Sequence, residues 1–421
     1  MSKLSQFNIV VPLDSDKSVL YNTLSRQMKV LNNSLVESFV RKDTSAFDAV
    51  EAEMNGFVVD NDTDELQSVR CALTQNASGI QAITILPTTD CNARCWYCYE
   101  KGIEHINMHE TVAEKTIYFI KQVYKENLIK INWFGGEPLY NFETIRFITT
   151  KLIEEGYSLS AFFTTNGSLI TEEIASYIST NYKDPAMCIT IDDLGISYAK
   201  IKRFIDISEE EAFPLLINNI KIALRNNIRI LIRLNYTEYS HAVLIKDELE
   251  SVFSEQELSL IHFYYAPIWD GTNNPQPIEC AFEILSLIEK GIDINLLANP
   301  YMDNIVLNQI GNTHRLSMCP CRNVNHYVVN ADGNLYRCHS LASKKDYACG
   351  NVVSGVDKSS LGYKLFEIKD DDKCSACSLL PICQTQCRVR TLIYGDNQIC
   401  ENTKQIIPHI VRMKVNRKHK K

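Results

Sequence analysis

Cys91-Asn92-Ala93-Arg94-Cys95-Trp96-Tyr97-Cys98 spaces three thiols as C-x3-C-x2-C directly after a short apolar run, and this stretch decides the fold. Three thiolates hold three corners of a [4Fe–4S] cube and leave the fourth iron open to a bound molecule. The chain has 421 residues and 15 cysteines, and a late set follows the triad: Cys319, Cys321, Cys338, Cys374, Cys377, Cys383, Cys387 and Cys400. Four cysteine ligands close a cube, so this set suffices for two more. The two groups together predict three [4Fe–4S] clusters with no ligand left over. An open cluster acts on what binds it; closed clusters carry electrons or organise structure.

Other uses of the thiols are weaker. Disulfides need an oxidising compartment, whereas the opening MSKLSQFNIVVPLDSDK has no long apolar run before a small-residue cleavage site. Zinc competes for Cys374-x2-Cys377 and its followers, but explains a triad without a nearby histidine poorly. Cys71, Cys188, Cys280 and Cys349 stand alone and read as buried structural thiols. Hydrophobic residues at 45% and charged residues at 22% are those of an ordinary globular chain. A net charge of −8 argues against a nucleic-acid binder. The basic run Arg412, Lys414, Arg417, Lys418, Lys420, Lys421 reads as a solvated, frayed tail. No apolar run is long enough for a membrane span, and a reduced cytoplasm is the expected location.

Outward from the triad, strand and helix patterns alternate. Apolar runs read as strands at Ala82–Leu86, Ile129–Phe134, Leu159–Thr164, Met187–Asp192, Arg229–Asn235 and Ile261–Pro267. Helical periodicity marks Thr111–Tyr124, Phe142–Glu155, Glu172–Thr180, Phe213–Arg225, Ala242–Phe253 and Ile278–Lys290. Six strand–helix units call for a parallel sheet. Each of the first five strands runs into something special: the triad, Gly135-Gly136-Glu137-Pro138, Thr165-Asn166-Gly167, Asp192-Asp193 and Arg233-x-Asn235. Special residues gathered at strand C-termini are how (β/α) barrels build active sites. The fold class is α/β, a partial (β/α)6 barrel of TIM type spanning residues 81–310.

Residues 1–80 differ. Phe7–Leu13 and Ser18–Thr23 read as a hairpin, with helices near Ser34–Arg41, Thr44–Met54 and Asp64–Gln75. Two strands and about three helices predict a small winged-helix-like module, in which an open sheet edge is a place to add a peptide strand. Residues 311–421 are loop-rich and cysteine-dense, with a hairpin turning at Asp332-Gly333.

These motifs resemble the radical S-adenosylmethionine (SAM) enzymes with a SPASM extension. The triad with Tyr97 before its last cysteine matches the superfamily signature, and Gly135-Gly136-Glu137 matches its GGE motif. Cys321-x11-Gly333-x4-Cys338, then Cys374-x2-Cys377-x5-Cys383-x3-Cys387 and Cys400, match the SPASM pattern. The resemblance implies a SAM site formed by Tyr97, Gly135, Gly136, Glu137, Thr165 and Asn166, with Arg203 facing the carboxylate. It implies a first auxiliary cluster on Cys319, Cys321, Cys338 and Cys387, and a second on Cys374, Cys377, Cys383 and Cys400. Only Pro320 separates Cys319 from Cys321, a shorter gap than in sulfatase-maturing relatives; if it stops both from ligating, one iron of that cluster stays open to a substrate thiolate.

The resemblance further implies a maturase of ribosomally made peptides. Residues 1–80 would hold the leader of the precursor peptide, and a 5′-deoxyadenosyl radical would abstract hydrogen from its core. A thioether or other crosslink would form, with ferredoxin or flavodoxin as reductant. Anaerobic sulfatase maturation is the enzyme alternative, although His339 follows Cys338 where those relatives carry an aspartate. A non-catalytic iron–sulfur or zinc protein is the other. No catalytic base is singled out.

Overall fold

Side chains along Ser158–Thr165 alternate between half-buried and buried, the period-2 signature of a strand. In the computed structural model this strand lies within an eight-stranded sheet. The described residues are 2–41, 55–75, 82–237, 239–268, 282, 285–290, 321, 325–367, 372–383, 389 and 399–418.

The N-terminal region contains β1 (Ser2–Leu4), β2 (Asn8–Pro12), β3 (Lys17–Asn22), β4 (Met28–Asn32), α1 (Asn33–Val40), β5 (Val58–Asp60) and α2 (Glu65–Gln75). Next come β6 (Ala82–Ile85), α3 (Glu110–Val123), β7 (Leu128–Trp133), α4 (Phe142–Glu154), β8 (Ser158–Thr165), α5 (Glu172–Asn181) and β9 (Lys183–Ile191). The alternation continues through α6 (Gly195–Lys202), α7 (Glu209–Arg225), β10 (Arg229–Tyr236), α8 (Tyr239–Val252) and β11 (Ile261–Pro267). Local chemistry sets the helix starts. Thr171 caps α5 by accepting from the Ile174 amide, and Ser208 caps α7 ahead of Glu209, Glu210 and Glu211.

Strands β6 to β11 are parallel and lie side by side in chain order. A doubly wound sheet reverses its order at a switch point; a sequential order is that of a barrel wall. The sheet ends at β11 without closing. At the other end, β12 (Tyr327–Val329) runs parallel to β6, and β13 (Leu335–Tyr336) pairs antiparallel with β12. The expected Asp332-Gly333 hairpin is therefore part of the barrel sheet. Tyr124, which caps the C-terminus of α3, seals that junction, its hydroxyl reaching the carbonyls of Ala82 (3.1 Å) and Asn325 (2.9 Å).

The N-terminal region departs from expectation in holding a third strand, β4, in a β2-β3-β4 antiparallel sheet. Leu20 and Leu31 face Phe57 and α1. Val11, Val19 and Tyr21, on the opposite face, join the main core. The helix expected at Thr44–Met54 and most of the one at Ile278–Lys290 lie outside the described residues. The basic tail also departs from expectation. Residues up to Lys418 are helical (Ile399–Lys418), and Arg412 donates to the Pro12 carbonyl at 2.9 Å. Apolar Ile406, Ile407, Ile410 and Val411 are buried along this helix, which is why it docks instead of fraying. Among the described residues no helix is long and apolar enough to cross a membrane.

Candidate active site

The loop after β6 is held in shape by its own hydrogen bonds. Thr88 accepts from the Asp90 amide at 2.9 Å, and Asp90 accepts from the Cys91 amide at 2.7 Å. The Arg94 amide meets the carbonyls of Lys202 (2.9 Å) and Arg203 (3.0 Å), and the Ile205 amide meets that of Asn92 (2.9 Å). The triad is thereby stitched to the end of α6. Asn166, after β8, donates to Asn92 at 2.8 Å and lies 4.0 Å from the Cys91 sulfur.

Gly135 and Gly136 run along the same loop. A Cβ on Gly135 would stand 2.2 Å from the Thr88 carbonyl oxygen, and one on Gly136 2.3 Å from that of Asp90. Gly135 also has φ +128°, so both positions require glycine. Glu137 is fully buried and accepts from the Thr165 hydroxyl (2.7 Å) and the amides of Asn166 (2.7 Å) and Leu139 (3.1 Å). Burial pushes its carboxyl up to about 7 against those three donors. Its side chain thus clamps the ends of β7 and β8 together beneath the triad.

A buried ion pair lies beside the loop. Lys202 and Asp192 are 2.7 Å apart, with side chains 1% and 0% exposed. Lys202 also donates to Thr190 (2.7 Å) and the Tyr97 hydroxyl (3.1 Å). Asn235 bridges Asp192 (2.8 Å) and Tyr97 (3.3 Å), and Arg233 donates to Asn235 at 2.8 Å. Burial opposes the charge on Lys202, but Asp192 together with Tyr97, Cys95 and Tyr198 outweighs it and keeps the amine protonated well above its ordinary range.

The triad thiols are half-buried. Burial, followed by Glu137, pushes Cys91 up to about 12, and burial pushes Cys98 up to about 11. Such thiols stay protonated until a metal displaces the proton. Among the described residues no three His, Cys, Asp or Glu side chains converge on one ion-sized point. The triad thiols lie together on the loop after β6, and a [4Fe–4S] cube takes each thiolate at a separate corner.

Of the late set, Cys319 and Cys387 lie outside the described residues. Cys321 and Cys338 are buried in one cluster with Leu86, Val328, Tyr336, Phe366 and Val389. Arg337, 3% exposed, donates to the Cys321 carbonyl at 2.9 Å, tying these two cysteine segments together. Tyr99 carries the triad loop toward the hairpin, close enough to Cys98 and Cys338 for both to act on its hydroxyl. Farther off, Cys374 and Cys377 share a turn with a 3.1 Å backbone bond, and Cys383 follows Leu380. Cys400 lies in the first turn of the last helix, and Lys404 one turn later feels both Cys400 and Cys377.

The structure gathers Cys91, Cys95, Cys98, Tyr97, Gly135, Gly136, Glu137, Thr165 and Asn166 at one end of the sheet. Arg203 is set differently: it caps α6 with φ 53° and is exposed, while its neighbour Lys202 is the buried cation. Sequence reasoning missed Lys202 and Thr190. Helical spacing carried the signal, since Lys202 falls four residues after Tyr198, on the inner face of α6.

Residues 85–238 match the Radical SAM superfamily. This stretch is a radical SAM domain. Such a domain carries one [4Fe–4S] cluster and binds SAM, which sets aside the non-catalytic iron–sulfur or zinc carrier. The chain is 23% identical to a cysteine-type anaerobic sulfatase-maturating enzyme of Clostridium novyi, over 72% of this chain and 86% of that protein. It is 21% identical to the radical SAM cyclopropyl synthase TigE of Paramaledivibacter caminithermalis, over 95% of this chain and 88% of TigE. The fold resembles Streptococcus suis SuiB bound to precursor peptide SuiA, with TM-score 0.54 and 15% identity over 93% of this chain and 97% of SuiB.

Proposed function

We propose that the chain is a maturase that abstracts hydrogen from a ribosomally made precursor peptide and closes a thioether or another crosslink in it. The extent of the likeness carries this reading. TigE and SuiB match 95% and 93% of this chain, whereas the sulfatase-maturating relative matches 72%. The long matches leave room for the N-terminal sheet, and that sheet offers a peptide the edge of β4, which pairs only with β3 among the described residues. Val30 on β4 is 41% exposed there. An added strand would gain backbone hydrogen bonds along that edge.

When bound, the triad cluster supplies the electron that splits SAM to methionine and a 5′-deoxyadenosyl radical. The residues of this chain bind and orient. Gly135 and Gly136 let the backbone approach the triad loop, Asn166 fixes Cys91, and Glu137 holds β7 against β8. Lys202, whose three donors are taken by Asp192, Thr190 and Tyr97, positions Tyr97 behind the triad, and exposed Arg203 keeps the role of facing the carboxylate of SAM. Cys319, Cys321, Cys338 and Cys387 would hold one auxiliary cluster, and Cys374, Cys377, Cys383 and Cys400 the other, bringing the clusters to three. The domain limits follow at residues 80 and 310, and the setting is a reducing cytoplasm with ferredoxin or flavodoxin as electron donor.

Removing residues 1–80 tests the reading. Dithionite-driven SAM cleavage should persist while modification of a co-expressed precursor peptide is lost. Normal modification by the truncated chain would sink the leader-binding role. Sulfatase maturation remains the second reading because that relative has the higher identity, 23%. Formylglycine formed from a cysteine-containing sulfatase peptide would favour it.

A further inference from the structure

The distal cysteines sit under the N-terminal module, and the contacts are specific. Phe7, just before β2, and Val69 of α2 form an apolar cluster with Leu380. Phe7 is 0%, Val69 1% and Leu380 5% exposed. Leu380 lies between Cys377 and Cys383, and its amide bonds to the Cys377 carbonyl at 3.1 Å. Thr23, at the end of β3 and fully buried, donates its hydroxyl to the Ser378 carbonyl. The helix that carries Cys400 in its first turn packs on β2 and β3 and donates from Arg412 to the Pro12 carbonyl. Two separate pieces of chain therefore support the module, and each carries distal cysteines.

We propose that Cys374, Cys377, Cys383 and Cys400, besides any part in electron transfer, form the clasp that holds the N-terminal module in place. The proposal rests on the reading above that these four thiols share a cluster. The short segment Leu380–Cys383 is anchored to the main core through Leu379 and Ile382, but it has few residues with which to fix its thiols, and metal ligation commonly reinforces such segments. With the four thiolates joined, the Leu380 knob and the Cys400 helix are fixed relative to each other, and β2–β3 meets one rigid surface. Without the joint, the two supports are held to each other by apolar contacts alone, and the seat of the module loosens. The peptide edge at β4 lies one strand beyond β3, so recognition becomes conditional on iron loading. By linkage the dependence runs both ways: a docked module also protects the distal cluster.

Hydrogen exchange on the reconstituted full chain tests this without any peptide. In Cys400→Ala, the iron content should fall by about a third. Amides of β2 and β3 should exchange roughly tenfold or more faster, while β7 and β8 stay protected and SAM cleavage continues. A second variant approaches from the other side. Phe7→Ala leaves every cysteine in place, and a chelator should strip its distal iron several times faster than from the unaltered protein. Loss of iron in Cys400→Ala with unchanged exchange of β2 and β3 would overturn the clasp alone. Unchanged iron in that variant would overturn the distal-cluster reading and the clasp with it.

Discussion

The triad and the late cysteines offer the same ligand atom in opposite surroundings. Around Cys91, Cys95 and Cys98 stand hydrogen-bonding groups already aimed: Asp90, Asn92, Asn166 and Ser168, with the Lys202–Asp192 pair behind them. Around Cys321 and Cys338 stand Leu86, Val328, Tyr336, Leu341 and Phe366, and Cys377 and Cys383 rest against the main apolar core. A site that must grip and orient a polar molecule needs fixed dipoles. A site that only holds a cluster needs dry packing, which governs solvent access and potential. The difference agrees with the proposed division, chemistry at the first group and support or electron traffic at the second.

The strongest way to break that division is to remove one ligand from each side. Cys95→Ala should abolish SAM cleavage and remove about a third of the iron. An equal loss of cleavage in Cys377→Ala would show the two regions acting as one. The next largest effect concerns the charges behind the triad. Lys202→Met leaves Asp192 buried and unpaired, at a cost of about 3–5 kcal/mol, read by urea denaturation. Lys202→Met with Asp192→Leu should recover most of it. Because Lys202 has a raised folded pKa, its stabilisation is complete below the ordinary lysine range and is lost progressively as pH rises from that range through the folded value. Lys202 should therefore add no pH dependence across neutrality, and a loss of the Lys202→Met difference near pH 7 would count against this.

A smaller effect tests the close approach of the two loops. Gly136 has no positive φ, so Gly136→Ala isolates the clash with the Asp90 carbonyl at 2.3 Å. Relief of that clash should cost about 1–3 kcal/mol in stability and weaken SAM binding. Unchanged melting and affinity would mean that the loop yields freely.

The barrel strands were legible because parallel strands buried on both faces write themselves as apolar runs with their functional residues at one end. The expected Leu159–Thr164 and Arg229–Asn235 fall within one residue of the observed strands at either end. Strand β4 was not legible, because its turn has no glycine or proline. Buried Asn22 accepts the Leu24 and Ser25 amides, and Arg26 takes φ 61°. Side-chain chemistry supplies there what a glycine would have announced. The pairing of β12 with β6 was hidden for another reason. Some 240 residues separate the strands, and no local pattern records so distant a neighbour. In the site, motif spacing reached the loop residues, but Lys200, Lys202 and Arg203 look alike in sequence, and only the inner face of α6 tells them apart.

The smallest expected effect lies at that hidden junction, where the barrel meets the cysteine-bearing hairpin. His326 precedes β12, is 5% exposed and hydrogen-bonds the backbone of Ala82. Burial, helped by Arg337 and His339, pushes its imidazole down to about 4 from an ordinary 6.5. The folded chain thus holds His326 neutral where the unfolded chain would protonate it. The unfolded state binds more protons between those values, so stability is complete above about pH 6.5 and falls as pH drops toward 4. At pH 6 the loss from this group alone is about 1 kcal/mol. His326→Gln removes the titration while retaining a group able to reach Ala82. Thermal melts of both proteins at pH 8 and pH 6 cancel the contribution of the other histidines, including His339. The variant should lose less stability than the unaltered chain over that interval. Equal losses would mean that water reaches His326, and that the hairpin is less firmly sealed to the barrel than the Tyr124 contacts imply.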